Sequence, residues 1–335
     1  MPFAASRRSL LLATGAILVA PGITAGFAPE RARAQAAWPE RPIRWIINFP
    51  PGGAADTLSR ILAGSIGNRL GQPIVVENRP GAGGALGADI LAKAPGDRHL
   101  VMMSSAASHG IGPVLYRNPP YDALADFTHI RLVGTFPSVL AVNPDFPTRD
   151  LAQFLAEARA RRGQLSYGSG GNGTLNHLVG QLLALAAGVE LTHVPYRGSA
   201  PALTDTISGQ IPAIMESLPI ALPHLRAGRL RALATSEAER PATLADVPTF
   251  GEAGFPAVTS SNWFGFSAPS GLPAELVARW EAEIGTALAD PQVVERFGAI
   301  GVRPGAMGPA AYTALIRGEL DRWRELIRAG NIQPD

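Results

Sequence analysis

No cysteine occurs among the 335 residues, so a disulfide, a thiol nucleophile, an iron–sulfur centre and a cysteine zinc site are all excluded. Lysine is nearly absent: Lys93 stands alone, and every other basic side chain is an arginine. The formal net charge of +2 arises in the first segment, where Arg7, Arg8, Arg31 and Arg33 outweigh Glu30, leaving about −1 over residues 37–335. A nucleic-acid or anionic-membrane surface is therefore not indicated by overall charge. Long apolar runs are missing too. Ser9 to Phe27 is broken by Pro21-Gly22 and falls short of the roughly 20 strongly apolar residues of a membrane span. With Arg7 and Arg8 before it and the small residues Ala34-Gln35-Ala36 after it, residues 1–36 read as a cleavable export leader. Ser6-Arg7-Arg8-Ser9-Leu10-Leu11 suits the twin-arginine route as well as the general one, and both stay open.

What is present is an alternation of short apolar runs and helical periodicity, the mark of a sheet covered by helices in the α/β class. Strands are predicted at 43–49, 74–77, 100–104, 165–168, 191–194, 211–216 and 230–234. Leu58, Ile61, Leu62, Ile66 and Leu70 mark one face of a helix. Thr148 is expected to cap a helix that buries Leu151, Phe154, Leu155 and Ala158, and a further helix runs from Leu175 to Ala187, closed by Gly188. Helices at about 273–289, 291–299 and 309–328 are expected to pack back on the first part of the chain. A chain of this length favours two lobes. Lobe one is placed at 37–140 and 262–335, lobe two at 141–261, with crossings near 138–143 and 258–265.

Three glycine-rich turns each follow a strand and precede a helix: Phe49 to Asp56, Pro80 to Ala85, and Gly168 to Thr174. Helix N-termini at the carboxyl ends of strands offer free N–H groups to anions, and glycine lets the backbone approach closely. No lysine lies in these turns, which excludes a phosphate loop of the nucleotide-hydrolase kind. Gly81-x-Gly83 imitates a dinucleotide fingerprint, but no acid follows about 20 residues on, so no cofactor is expected. Ser105 with His109, or Ser169 with His177, gives a hydrolase alternative, although neither serine lies in a G-x-S-x-G elbow. The histidines show no metal-ligand spacing, so no metal is expected either. Arg79 and Arg197 are the cations nearest the turns; Asp56 suits the dipole of its own helix, and Trp263 and Phe264 read as core or hinge packing.

Taken in order, Pro51-Gly52-Gly53 with Asp56 and Arg60, Val76 to Gly84, Pro120-Tyr121-Asp122 with Asp126-Phe127, Tyr167 to Thr174 with His177-Leu178, Val194 to Gly198, Asp246 to Thr249 with Glu252, and Trp263 with Ala268-Pro269 resemble the Bug family. These are the periplasmic receptors of tripartite tricarboxylate transporters. The resemblance implies a Venus-flytrap fold, two lobes with a parallel-type mixed sheet in each, that binds and does not catalyse. It implies a small carboxylate held by backbone N–H and hydroxyl donors, with Phe49, Gly52, Gly53, Ala54, Gly83, Gly84, Ala85 and Ser105 on one lobe. Ser169, Asn172, Gly173, Thr174 and Tyr196 would face them, with Glu216 and Ser217 on the opposite wall. A monomer is implied, working in the periplasm and handing its ligand to membrane permease subunits; presentation to a sensor kinase is the alternative, and no nucleic acid is involved. Two departures bear on the pocket: Ala106 to Gly112 lacks the family's asparagine-proline, and Glu216 is longer than the common aspartate, which favours a ligand with an amine or hydroxyl, or one carboxylate fewer.

Overall fold

The structure, a computed structural model, describes residues 38–330 and 332–333. The expected export leader, residues 1–36, lies outside them. β1 (Ile43–Ile47) buries Ile43, Trp45, Ile46 and Ile47. α1 (Ala54–Leu70) forms because Leu58, Ile61, Leu62 and Ile66 share one buried face, and Gly71 ends it in the left-handed region. β2 (Ile74–Asn78), α2 (Ala85–Ala92) and β3 (Leu100–Ser105) follow, then a π-helical turn (Ala106–Ile111), α3 (Gly112–Leu115) and β4 (Phe127–Phe136).

The chain leaves the first sheet at Phe136 and enters the second at Ser138, where β5 (Ser138–Val142) begins, so the residue 140 of the expected division lies inside a strand. α4 (Leu151–Arg161), β6 (Ser166–Ser169), α5 (Leu175–Ala187), β7 (Thr192–Pro195), α6 (Ser199–Ile207), β8 (Ala213–Ser217), α7 (Leu218–Arg226) and β9 (Arg231–Thr235) complete this part. The cap of α4 is Asp150, which accepts from the Gln153 N–H, and not Thr148, which is fully buried upstream. β10 (Asn262–Pro269) returns to the first sheet, followed by α8 (Ala274–Ala289), α9 (Pro291–Ala299), β11 (Arg303–Pro304) and α10 (Pro309–Ala329).

The first sheet has the order β11-β4-β10-β3-β1-β2 and the second β7-β6-β8-β5-β9. β1 is parallel to β2 and β3, and β6 is parallel to β7 and β8; the remaining pairings are antiparallel, so both sheets are mixed. This is a two-lobed α/β fold. In each sheet the chain order reverses between two parallel strands, β1 and β3 in one and β6 and β8 in the other, and such switch points form crevices at the carboxyl ends of the strands. α8 packs on α1 and β4, while α10 lies on the π turn and β4. The far end of α10 reaches further: Trp323 shares one apolar cluster with Ile111 and Leu115 of the first lobe and Leu175 and Leu178 of α5.

Candidate ligand-binding cleft

At the end of β1, the chain turns through Asn48 to Gly53 and starts α1 without a side-chain cap. Asp56 holds this turn: its carboxylate accepts from the Gly52 N–H (3.0 Å), from Arg60 Nε (3.0 Å) and from Asn78 Nδ2 (3.1 Å). Burial alone would raise the Asp56 pKa, but these donors outweigh it and leave the pKa below the ordinary range. With Asp56 so occupied, its role is structural. No described residue accepts from the Gly53, Ala54 or Ala55 N–H, and all three line the cleft. Beside them Ser105 closes β3 and caps the π turn, accepting from the Ser108 N–H (3.1 Å), and Ala106 and Ala107 add a second helical start.

The other wall comes from the second sheet. Thr174 caps α5 and bonds its hydroxyl to the Gly171 carbonyl (2.7 Å). Leu175 and Asn176 follow, the turn from Arg197 to Pro201 starts α6, and Glu216 and Ser217 end β8. Asn262, Trp263 and Phe264 close the back. The cavity volume is about 90 Å³, and the cleft opens to solvent at its mouth. Across its mouth Gly198 (φ 116°) meets Pro50 so closely that a Cβ there would lie 2.9 Å from the proline Cγ. The lobes are thus in contact at a residue whose backbone favours glycine on its own account.

Arg197, exposed, and Glu216, fully buried, are the two ionisable side chains lining this space. Glu216 Oε1 accepts from Asn176 Nδ2 (3.1 Å) and from the Ser217 N–H (2.7 Å), while Oε2 has no hydrogen-bond partner among the described residues. Burial raises the Glu216 pKa; the Ser217 N–H, the Ser199 hydroxyl, the Ser217 hydroxyl and the Asn176 amide oppose it without reversing it. Behind Glu216 a run of polar groups leads to both crossings between the sheets: Asn176 Oδ1 accepts from Ser138 Oγ (2.7 Å), which accepts from Asn262 Nδ2 (2.8 Å).

Of the expected ligand residues, Phe49, Gly53, Ala54, Ser105, Thr174, Glu216 and Ser217 line this cleft. Gly83, Gly84, Asn172 and Tyr196 instead line a neighbouring opening beyond the Pro50 and Gly198 contact, shared with Phe49 and Thr174. Gly52, Ala85, Ser169 and Gly173 line neither. The Gly52 N–H belongs to Asp56, Ala85 packs in the first core, and the Gly173 N–H donates to His177 Nδ1 (3.3 Å). Ser169 is fully buried, its hydroxyl 2.7 Å from His193 Nε2. Ser105 bonds Ser108, and it is Ser108 that meets His109 Nδ1 (2.9 Å). Arg79 pairs with Glu77 (3.1 Å) and lines neither opening. Asn176, Ser199 and Asn262 were not legible as site residues: a polar residue inside a helix or strand reads as surface until the sheets bring it against Glu216 or Ser138. Among the described residues no group of three acidic or imidazole side chains is placed to hold a metal.

A family model described as the tripartite tricarboxylate transporter family receptor matches residues 58–332. BugT of Bordetella pertussis is 36% identical over 320 residues, covering 95% of this chain and 96% of BugT. A Rhodopseudomonas palustris protein solved with adipate superposes with a TM-score of 0.85 at 32% identity, covering 89% of this chain and 100% of that one. MatC from the same organism, solved with bound malate, gives a TM-score of 0.82 at 31% identity over 86% of this chain and 99% of MatC.

Proposed function

The chain belongs to the receptor family of the tripartite tricarboxylate transporters, and from that premise we propose that it captures a small carboxylate in the periplasm, between its two lobes, and delivers it to membrane permease subunits. The observation that carries this reading is the meeting of uncapped helix starts from both lobes on one cleft, with the Gly53, Ala54 and Ala55 N–H groups left without protein acceptors. N–H groups and helix dipoles of this kind favour an anion. The seven expected residues that line the cleft, with Asn176, Arg197 and Ser199, make up the proposed contact set. Arg197, exposed at the rim, adds the cation that draws an anion in. Adipate and malate, with which the two R. palustris relatives were solved, are small carboxylates of the class proposed here. Closure follows from a ligand that touches both lobes, because it stabilises the closed arrangement by as much as it binds that arrangement better.

A thermal-shift panel tests the proposal, using residues 37–335 with small mono- and dicarboxylates and the matching amides. A carboxylate at about 100 times its Kd should add roughly 2.7 kcal/mol, a rise of a few degrees in the melting midpoint at this chain length. Stabilisation by the acids and none by the amides is expected. Equal stabilisation by both would overturn the anion reading.

A further inference from the structure

Glu216 is an unusual wall for an anion site. It is wholly buried, it has no ion pair among the described residues, and the only cation lining the same space is Arg197 at the exposed rim. Both nearby N–H donors, from Asn176 and from the Ser217 backbone, converge on Oε1, and none reaches Oε2. That division matches a neutral carboxylic acid: a carbonyl oxygen accepting two hydrogen bonds, and a hydroxyl with a proton to give. An ionised carboxylate in the same place would lie fully buried beside an incoming anion, with no counter-cation among the described residues that reach it, which is costly.

We propose that Glu216 serves the cleft as a neutral acid and donates a hydrogen bond from Oε2 to an oxygen of the bound ligand. The ligand class is then an acid bearing a carboxylate, carbonyl or hydroxyl oxygen at the end that meets β8, and an ammonium group at that end is rejected because it has no lone pair to offer. This rests on the carboxylate reading above and narrows it. The sequence alone favoured an amine or hydroxyl opposite this acid; burial and the donor arrangement decide against the amine.

Among the described residues that line the cleft, no other acidic or imidazole side chain accompanies Glu216. From β5 the groups facing the carboxyl region are Ser138 and Val139, from α5 Asn176, from α6 Ser199, and from β10 Asn262, Trp263 and Phe264. His177 and His193 stack on one another (4.1 Å) by the Ser169 turn and line neither opening. Among the described residues Arg197 is the one charged neighbour that lines the cleft with Glu216. Binding therefore requires that Glu216 hold its proton. Above the folded pKa of the empty protein, each pH unit should weaken binding of an oxygen-acceptor ligand about tenfold, with about one proton taken up per ligand bound.

The test measures Kd by calorimetry between about pH 5 and pH 9 for malate, adipate and aspartate as probes, in buffers of differing ionisation enthalpy so that proton uptake is read directly. Wild type should bind malate or adipate with an affinity that falls at high pH and with proton uptake. Glu216→Gln keeps an N–H donor without a titrating proton, so its affinity should be flat over the same range. Glu216→Ala, lacking the donor, should bind weakly at every pH. Three results overturn the proposal: diacid binding by wild type with no pH dependence and no proton uptake; a Glu216→Gln variant that retains the wild-type slope; or aspartate binding that tightens with pH and is lost in Glu216→Gln. Binding of no acid by any form overturns the carboxylate reading itself, and this inference with it.

Discussion

Arg44 and Glu77 face each other across β1 and β2, with Arg44 Nε 2.7 Å from Oε1 and Nη2 3.0 Å from Oε2. The Arg44 hydrogen bonds, helped by Arg79 and opposed by partial burial, pull the Glu77 pKa from 4.5 down to about 2. Because the folded value is the lower one, the pair stabilises fully above the ordinary carboxyl range and loses its effect as pH falls toward about 2. Arg44 is 42% exposed, so solvent screens much of the interaction and about 1 kcal/mol or less is expected. Urea melts of Glu77→Gln should show that deficit at neutral pH and none near pH 2. A sequence cannot signal this pair, since 33 residues separate its members and only the parallel register brings them together. Glu216 is the same lesson in reverse. Its excess length over aspartate was legible, whereas the burial that raises its pKa comes from elements distant in sequence, among them the α5 turn with Asn176, 40 residues away.

Turns decide more of the function than strands do. Glycine turns, strand periodicity and the helix end at Gly188 were legible because they follow from local backbone demands. The π turn after Ser105 was not, since a reciprocal Ser105 and Ser108 capping box starts it. The long antiparallel β4 was also missed: Thr128, Arg131 and Thr135 interrupt its apolar residues, and its pairing with β10 is non-local. Gly198 allows a direct test at this scale. Gly198→Ala places a side chain at φ 116° and 2.9 Å from Pro50 Cγ, so the turn is strained by about 1–3 kcal/mol and the lobes are held apart. Gly228, also at positive φ (66°) but with open space around it, is the matched control. Both alanine variants should melt lower; only Gly198→Ala should bind the ligand more weakly, by about tenfold or more if 1.4 kcal/mol of strain falls on the closed form.

On the scale of the whole molecule, two segments carry the chain between sheets, one at Pro137 and one ahead of Asn262, and they are tied together by the Asn262 to Ser138 hydrogen bond (2.8 Å). Asn262→Ala should cost about 1 kcal/mol in chemical denaturation and should leave the ligand-free protein more expanded in small-angle scattering, with ligand restoring compactness. The alternation of strands and helices made two lobes legible, and crossings expected near 138–143 and 258–265 adjoin the passages at Pro137 and ahead of Asn262, although the single residue between β4 and β5 leaves no loop to mark the first. The end of α10 adds a third link that no composition reveals. Leu326, Ile327 and Ile332 pack against the cluster in which Trp323 joins Ile111 and Leu115 to α5. A fluorescent domain fused beyond that helix would be leashed to the seam between the lobes, so that capture of a ligand could be followed as a colour change in living cells.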